Sequence, residues 1–279
     1  MLTDPTFVVP LRDELRQLDP DRFLTSLFAP QPLRTTLWVL YRFNAELSRI
    51  PYLVTEPTLG QMRFQWWNDT LNRIQRRESV THPLAKGLAS MGMNDERVIS
   101  LLKELLTGRL TELDEQPFSS WADVEEYLHR CAALEEIACH SAGTHDDAII
   151  QAARYAGRIM AAHQFLKTAL KRLSRGHALL PKVDFPQQEE ARHNTELGYA
   201  TLLPFVQRVC QECRTWAVQA RALTTGLARD HLALFFGVVV AERTLSLLEK
   251  NGCSLMDGRL YIPQRRPVIM LWRYLKGRW

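Results

Sequence analysis

The 279-residue chain lacks several features that would assign it to a familiar class. Its longest apolar run, LALFFGVVVA, has about half of the roughly 20 residues that a membrane-spanning helix needs. The N-terminal stretch is acidic and has no basic segment followed by an apolar core, so it does not resemble a signal or transit peptide. A net charge of +4 is too small to indicate a nucleic-acid partner. We therefore expect a cytoplasmic protein that is at most peripheral, at the inner face of a membrane.

Cysteine and glycine motifs are also scarce. Five scattered cysteines, an odd number, predict reduced thiols rather than a disulfide framework. Cys210 and Cys213 have CxxC spacing but lie in a helical pattern without a second pair, so we interpret them as helix residues. Residues 139–146, CHSAGTHD, lack helical metal-ligand spacing, and Asp146 reads as a helix N-cap. No G-x-S-x-G, GxxxxGK[ST] or GxGxxG motif is present. We predict no metal site.

Helical periodicity is present along nearly the whole chain. Apolar residues recur every three to four positions, prolines fall mostly between the periodic segments, and no alternating pattern indicates a sheet. There is no internal repeat and no long linker. The sequence predicts one all-α domain, residues 1–279, with helices at 33–50, 58–77, 95–113, 120–142, 147–174, 199–226, 229–250 and 267–276.

Two of these segments carry a second stripe of residues beside the stripe that forms the core. The second stripe of 33–50 is aromatic and small, whereas that of 147–174 changes from small to cationic. Either the two helices face each other across a cavity, or each is simply buried on two sides. The candidate lining residues are Trp38, Tyr41, Ala45, Ala161, Gln164, Lys171, Arg172 and Arg175. His163 interrupts the core stripe and is predicted to be a hydrogen-bonded core residue.

The C-terminal segment 267–276 is amphipathic. Its apolar residues fall on one side of a helix and its basic residues on the other. Such a helix can lie on an anionic membrane surface through residues 265–279, or it can be the last helix packed on the core. The apolar side consists of Val268, Leu271, Trp272 and Leu275, and the basic side contains Arg273 and Lys276.

Four stretches together resemble the squalene/phytoene synthase family, whose members join two prenyl diphosphates head to head. RFLTSLFAPQPLRTTLWVLYRFNAEL is similar to the opening of the family, and LLTGRLTELDEQPFSSWADVEEYLHRCAA to its middle block. GRIMAAHQFLKTALKRLSRGHALLP aligns without a gap on its second active-site helix, and AERTLSLLEKNGCSL on its near-terminal helix. The resemblance implies an isoprenoid synthase-like helical domain with a central cavity.

The resemblance also implies that the catalytic residues are absent. The family binds Mg²⁺ through two D-x-x-x-D motifs, which fall here on Ser48 and Tyr52 and on Thr168 and Arg172. Pro51 lies within the first motif, and we expect it to end the helix there. The family's arginine before that motif falls on Ala45, and its glutamine and asparagine fall on Ala161 and Gln164. Only Glu112 keeps a carboxylate where the family has one, outside the four motif positions.

An aspartate-lacking branch of the family includes an assembly factor for respiratory complex I. FNAELSR, EPTLGQMRFQWWNDTL and HPLAKGL resemble that branch. The resemblance implies a non-catalytic protein with an assembly role, a protein partner in respiratory-complex biogenesis and no cofactor. Two alternatives remain: a module that binds an isoprenoid, quinone or other lipid, and a prenyltransferase that uses Mg²⁺ through relocated carboxylates. The candidates for such carboxylates are Glu46, Asp69, Glu135 and Glu136.

Overall fold

The computed structural model describes residues 5–114, 118–173, 181, 195–252 and 267–279. Within these ranges the secondary structure is helical, without strands. The α-helices are α1 (Pro5–Leu18), α2 (Pro20–Ser26), α3 (Leu33–Leu53), α4 (Pro57–Gln75), α5 (Pro83–Ser90), α6 (Glu96–Leu110), α7 (Trp121–Cys131), α8 (Ala133–Ser141), α9 (Asp147–Leu173), α10 (Thr195–Leu223), α11 (Phe236–Lys250) and α12 (Pro267–Leu275). Two 3₁₀ turns cover Thr111–Leu113 and Arg229–Leu234. The all-α prediction is confirmed.

Short polar side chains start several of the helices. Asp19 accepts a hydrogen bond from the backbone N–H of Arg22 at the start of α2. Asp95 does the same for two N–H groups of α6. Asp146 accepts from the N–H groups of Ala148 and Ile149, which confirms it as the N-cap of α9. These carboxylates satisfy N–H groups that have no partner within the helix.

Helix α9 lies at the centre of the fold. It packs against α7, α8, α10 and α11, and its residues Ala152, Ala156 and Ile159 are fully buried. The His163 imidazole is buried and lies 3.0 Å from the Thr244 hydroxyl, so the prediction of a hydrogen-bonded core histidine is confirmed. Cys210 and Cys213 are buried residues of α10, as predicted.

The prediction of a single helix over 120–142 is wrong. The chain forms α7 and α8 instead, which meet at Ala132. Helix α9 crosses at close range here: a Cβ added to Gly157 would lie 2.6 Å from the Ala132 Cα. Sequence reasoning also missed α1, α2 and α5, which are short or contain proline.

The expectation that Pro51 ends its helix is also wrong. Helix α3 continues through Pro51 to Leu53, and the backbone becomes extended at Val54. Pro51 removes one backbone donor, the N–H that would bond to the Leu47 carbonyl, but the last residues of the helix keep their helical conformation. Ser48 and Tyr52 therefore keep the one-turn spacing of the family's motif.

Helix α12 packs on the core through a side that the sequence pattern did not select. Met270 is fully buried, and the Tyr274 ring lies 5.8 Å from that of Phe28. After the helix, Trp279 stacks on Phe235 at 5.1 Å. The predicted apolar face points to solvent, with exposed fractions of 77% for Val268, 50% for Leu271, 57% for Trp272 and 61% for Leu275. None of the described helices is long and apolar enough to cross a membrane.

The close crossing at Gly157 predicts that Gly157→Ala destabilises the protein. The new methyl group would overlap the backbone of Ala132, and overpacking of this kind costs about 1–3 kcal/mol, which exceeds the gain in helix propensity. Urea denaturation would measure the free energy of unfolding. Gln151→Ala, on the exposed side of α9, is the control and should change it by no more than about 0.5 kcal/mol. A Gly157→Ala protein as stable as the wild type would contradict the crossing.

Candidate functional site

The four positions of the lost metal motifs hold no carboxylate. In α3, the Ser48 hydroxyl donates to the Ala45 carbonyl at 3.1 Å, and Tyr52 is half-buried. In α9, the Thr168 hydroxyl donates to the carbonyls of Gln164 and Phe165, both at 3.1 Å. Both hydroxyls therefore donate their hydrogen bonds to backbone carbonyls of their own helices. Arg172 forms an ion pair with a residue of another element.

Arg172 is buried and paired with Glu112. Its guanidinium donates through Nη2 to Glu112 Oε2 in the 3₁₀ turn after α6. The side chains of Arg172 and Glu112 are only 5% and 4% exposed. The guanidinium carbon also lies 5.4 Å from the centre of the Phe165 ring, about two helical turns earlier. The cation at the end of α9 is thus part of the interior.

The other oxygen of Glu112 extends this pair into a network. Glu112 Oε1 accepts from Arg109 Nη1 and from the Tyr127 hydroxyl, both at 2.6 Å. Arg109 Nη2 donates to Asn44 Oδ1 in α3 at 2.9 Å. A continuous set of charge-assisted hydrogen bonds therefore joins α9 to α3 through the turn after α6. We call Asn44, Arg109, Glu112, Tyr127 and Arg172 the Glu112 network.

The Glu112 network carries two cations and one anion in a buried space. Burial alone would raise the pKa of Glu112, but Arg172 and Arg109 outweigh it, so that this pKa is lowered. Burial would lower the pKa of Arg172, yet the nearby Glu112 carboxylate raises it. Burial and the neighbouring Glu112 carboxylate together raise the pKa of the Tyr127 phenol. At neutral pH the network therefore contains a carboxylate, two guanidiniums and a neutral phenol.

These residues do not fit the Mg²⁺ ions that the fold family implies. Mg²⁺ requires oxygen ligands in octahedral geometry and is usually held by carboxylates. The motif positions supply two hydroxyls that donate to backbone carbonyls, a phenol and a guanidinium. Glu112 has both oxygens occupied by arginine and tyrosine donors. A cation at position 172 also repels a metal ion.

Trp38 and Tyr41 of the predicted cavity stripe both contact α2. Trp38 Nε1 donates to Ser26 Oγ at 2.9 Å, and the Arg22 guanidinium carbon lies 4.8 Å from the centre of the Tyr41 ring. Arg22 in turn pairs with the buried Glu135 of α8. Because α2 was not recognised in the sequence, these contacts were not foreseen.

The remaining predicted lining residues lie in α3 and α9. Ala45 and Ala161 are buried, and Gln164 is half-buried. The side chain of Lys171 and the whole of Arg175 lie outside the described residues. Whether this set lines a ligand cavity stays a prediction.

Two surface pockets lie away from these helices. One, of about 510 Å³, lies between α4 and the end of α6, and its lining includes Gln61, Asn68 and Thr107. The other, of about 530 Å³, lies between α10, α11 and α12. Neither is lined by residues of α3 or α9.

The four carboxylates considered as replacement metal ligands are engaged separately. Glu46 accepts from Arg42 at 2.8 Å, and Asp69 accepts from Gln65 at 2.9 Å. Glu135 pairs with Arg22, and Glu136 pairs with Arg97, Arg154 and His140, so both face basic partners. Across the described part of the chain, no group of three or more His, Cys, Asp or Glu side chains is arranged to hold a metal.

The fold and this site define the class of protein. The sequence pattern of the squalene/phytoene synthase family matches residues 15–269, and the chain belongs to that family. Two solved structures share its fold: the squalene synthase HpnC from Alicyclobacillus acidocaldarius, with a TM-score of 0.73 and 14% identity over 89% of this chain and 95% of that one, and a dehydrosqualene synthase in complex with ligand, with a TM-score of 0.78 and 15% identity over 98% and 96%.

Curated relatives bear a different name. The chain is 29% identical over 113 residues to the Bos taurus protein named NADH dehydrogenase (ubiquinone) complex I, assembly factor 6. That alignment spans 40% of this chain but only 34% of the bovine protein, and the human protein of the same name matches over the same shares. The Mus musculus protein of that name is 24% identical over 269 residues, which cover 94% of this chain and 79% of the mouse protein.

The geometry of the Glu112 network predicts a large loss of stability for Glu112→Gln. The substitution leaves two buried guanidiniums without an anion, and breaking a buried pair in this way costs about 3–5 kcal/mol. Urea denaturation at neutral pH would measure the change in the free energy of unfolding. Glu126→Gln is the matched control, because Glu126 pairs with Arg130 at 2.7 Å on the exposed side of α7 and such surface pairs contribute about 0–1 kcal/mol. An equal loss of unfolding free energy in the two variants would contradict the burial and pairing of Glu112.

Proposed function

We propose that this protein is a non-catalytic member of the squalene/phytoene synthase family with an assembly role in the biogenesis of respiratory complex I. The observation that carries the proposal is Arg172, a buried cation bound to Glu112 at a position where catalytic members need a metal-binding acid. Without metal, the departing diphosphate loses its main charge stabilisation. Several kcal/mol of lost stabilisation lowers the rate by several powers of ten. The names of the bovine, human and mouse relatives support the assembly role.

An exposed apolar stripe on α4 supports a role in protein interaction. Leu59, Met62 and Trp66 recur at helical spacing, with exposed fractions of 50%, 68% and 46%. The Trp66 ring is held edge-on against Trp67, with 4.8 Å between centroids, and against His82, so it is fixed in place. Fixed, exposed aromatic and methionine side chains are typical of protein interfaces.

The exposed face of α12 supplies a route to the membrane. An assembly factor for a membrane complex acts at the membrane surface, and α12 presents Val268, Leu271, Trp272 and Leu275 to solvent. Basic residues at positions 273, 276 and 278 accompany this face. We propose that α12 attaches the protein peripherally to the membrane.

The proposal predicts that the protein does not turn over prenyl diphosphates. Incubation with farnesyl or geranylgeranyl diphosphate and Mg²⁺ should release no pyrophosphate above a control without protein, while a squalene synthase assayed in parallel releases it. Mg²⁺-dependent release by this protein would instead support the prenyltransferase. Binding of a prenyl diphosphate in calorimetry without release would support the isoprenoid-binding module.

The assembly role predicts a defect that depends on the α4 stripe. In the organism that encodes this chain, deletion of its gene should reduce the amount of assembled complex I seen on native gels. The wild-type chain should restore the complex, whereas Met62→Glu should not, because a charge in the stripe prevents apolar docking. Val218→Glu on α10 is the matched control, since Val218 is exposed to the same 68%. If deletion leaves complex I unchanged, the assembly role is wrong; if Met62→Glu restores it fully, the stripe is not the interface.

A further inference from the structure

The pocket between α10, α11 and α12 has an excess of positive charge. Its lining includes Cys213 and Arg214 of α10, Arg243, Ser246, Glu249 and Lys250 of α11, and Ile269 and Arg273 of α12. The two carboxylates among its described lining residues each pair with an arginine. Glu249 pairs with Arg214, and Glu242 accepts two hydrogen bonds from Arg221, at 2.6 and 2.7 Å. The acids of the pocket are therefore already neutralised.

Three further cations line the same pocket without such a partner. Among the described residues, Arg243, Lys250 and Arg273 form no ion pair, and the buried Arg243 Nε has no hydrogen-bond acceptor. Burial lowers the pKa of Arg273, and the nearby Arg221 adds to the effect while Glu242 opposes it. The pocket thus has unused donors and an excess of positive charge, a combination that suits a phosphate group.

The position of the pocket on α12 relates it to the exposed apolar face. Successive residues of an α-helix are about 100° apart around its axis. Ile269 and Arg273, which line the pocket, therefore lie on a flank of the helix between the exposed face and the buried Met270. Lys276, whose N–H bonds to the Trp272 carbonyl and so continues the helical turn, lies between this flank and the exposed face. A bilayer that accepts Leu271 and Trp272 would bring its headgroups to the mouth of the pocket.

We propose that this pocket binds the phosphate of an anionic phospholipid in the bilayer on which the apolar face of α12 lies. Arginine matches the geometry of phosphate oxygens through paired N–H donors, and Lys250 adds a point charge. Apolar contact by α12 and charge contact by the pocket then act on the same lipid surface. The inference rests on the proposed membrane attachment and adds the class of lipid and the residues that select it.

Vesicle co-sedimentation of the full chain tests the proposal. The vesicles contain phosphatidylcholine alone or phosphatidylcholine mixed with phosphatidylglycerol. The wild type should bind the mixed vesicles more tightly. Because each basic group near an anionic surface contributes about 1 kcal/mol, the triple variant Arg243→Gln, Lys250→Gln, Arg273→Gln should bind them roughly a hundredfold more weakly.

A charge-matched control separates the pocket from overall charge. Arg16→Gln, Arg49→Gln and Lys86→Gln remove the same number of positive charges from exposed positions on α1, α3 and α5, none of which lines the pocket. The affinity of that triple variant for the mixed vesicles should fall no more than about threefold, because surface charge is screened within roughly 8 Å at physiological salt. Equal losses in the two triple variants would overturn the headgroup site. Should the pocket triple variant unfold in circular dichroism, Lys250→Gln and Arg273→Gln are compared singly with Lys86→Gln.

A variant of the apolar face distinguishes failure of the pocket from failure of the attachment. Leu271→Ser with Trp272→Ser should abolish binding to both kinds of vesicle while the pocket cations remain. If this double variant binds as the wild type does, or if the wild type binds neither kind of vesicle, the proposed membrane attachment is wrong. The proposed headgroup site, which depends on that attachment, is then wrong as well. If it loses binding but the pocket triple variant does not, only the headgroup site is wrong.

Discussion

The Glu112 carboxylate is the interaction on which the rest of the site depends. It is buried, and it accepts hydrogen bonds from Arg109 of α6 and from Arg172 of α9, which is 60 positions away from Glu112 in the sequence. Buried charges are tolerated only when they are paired and hydrogen-bonded, so both arginines depend on Glu112. Through Arg109 and Asn44 the same carboxylate fixes α3 relative to α9. An ionic cross-link thus lies between the two helices on which catalytic members carry their acids.

This arrangement separates the scaffold from its chemistry. The chain shares a fold with a dehydrosqualene synthase at a TM-score of 0.78 although only 15% of the aligned residues are identical. Helix packing of this kind depends on where apolar side chains recur and tolerates wide substitution elsewhere. Catalysis depends on a few side chains at fixed positions, and a cation such as Arg172 at one of these positions disfavours the binding of a metal ion there. Family membership therefore defines the fold here, while the function has to be argued from the site.

The sequence was a good guide to the helices and a poor guide to their contacts. Apolar periodicity predicted most of the long helices, because one buried face leaves a regular pattern. The periodicity merged α7 and α8 into one helix, because Ala132 continues the apolar pattern. The break at Ala132 is accompanied by the close approach of Gly157, which belongs to another helix and leaves no signal in the local sequence. The sequence pattern misjudged Pro51, because a proline removes one hydrogen bond to the preceding turn and can bend a helix without ending it. For α12 the apolar residues were identified but not their orientation, since Met270 and Tyr274 make the core contacts. Glu112 and Arg172 were each singled out, yet nothing in a linear pattern joins residues 60 positions apart.

The pairing of Arg172 with Glu112 also restricts which residues position 172 can accept. Replacing Arg172 by the acid that catalytic members carry would place a second carboxylate beside Glu112 in a buried space. The Glu112 network would then contain two carboxylates and one arginine, Arg109, so the pKa of one of the carboxylates would rise. A single substitution of this kind would therefore cost stability. An acid at position 172 would require further changes within the Glu112 network, so the pairing makes single substitutions there costly and favours retention of arginine.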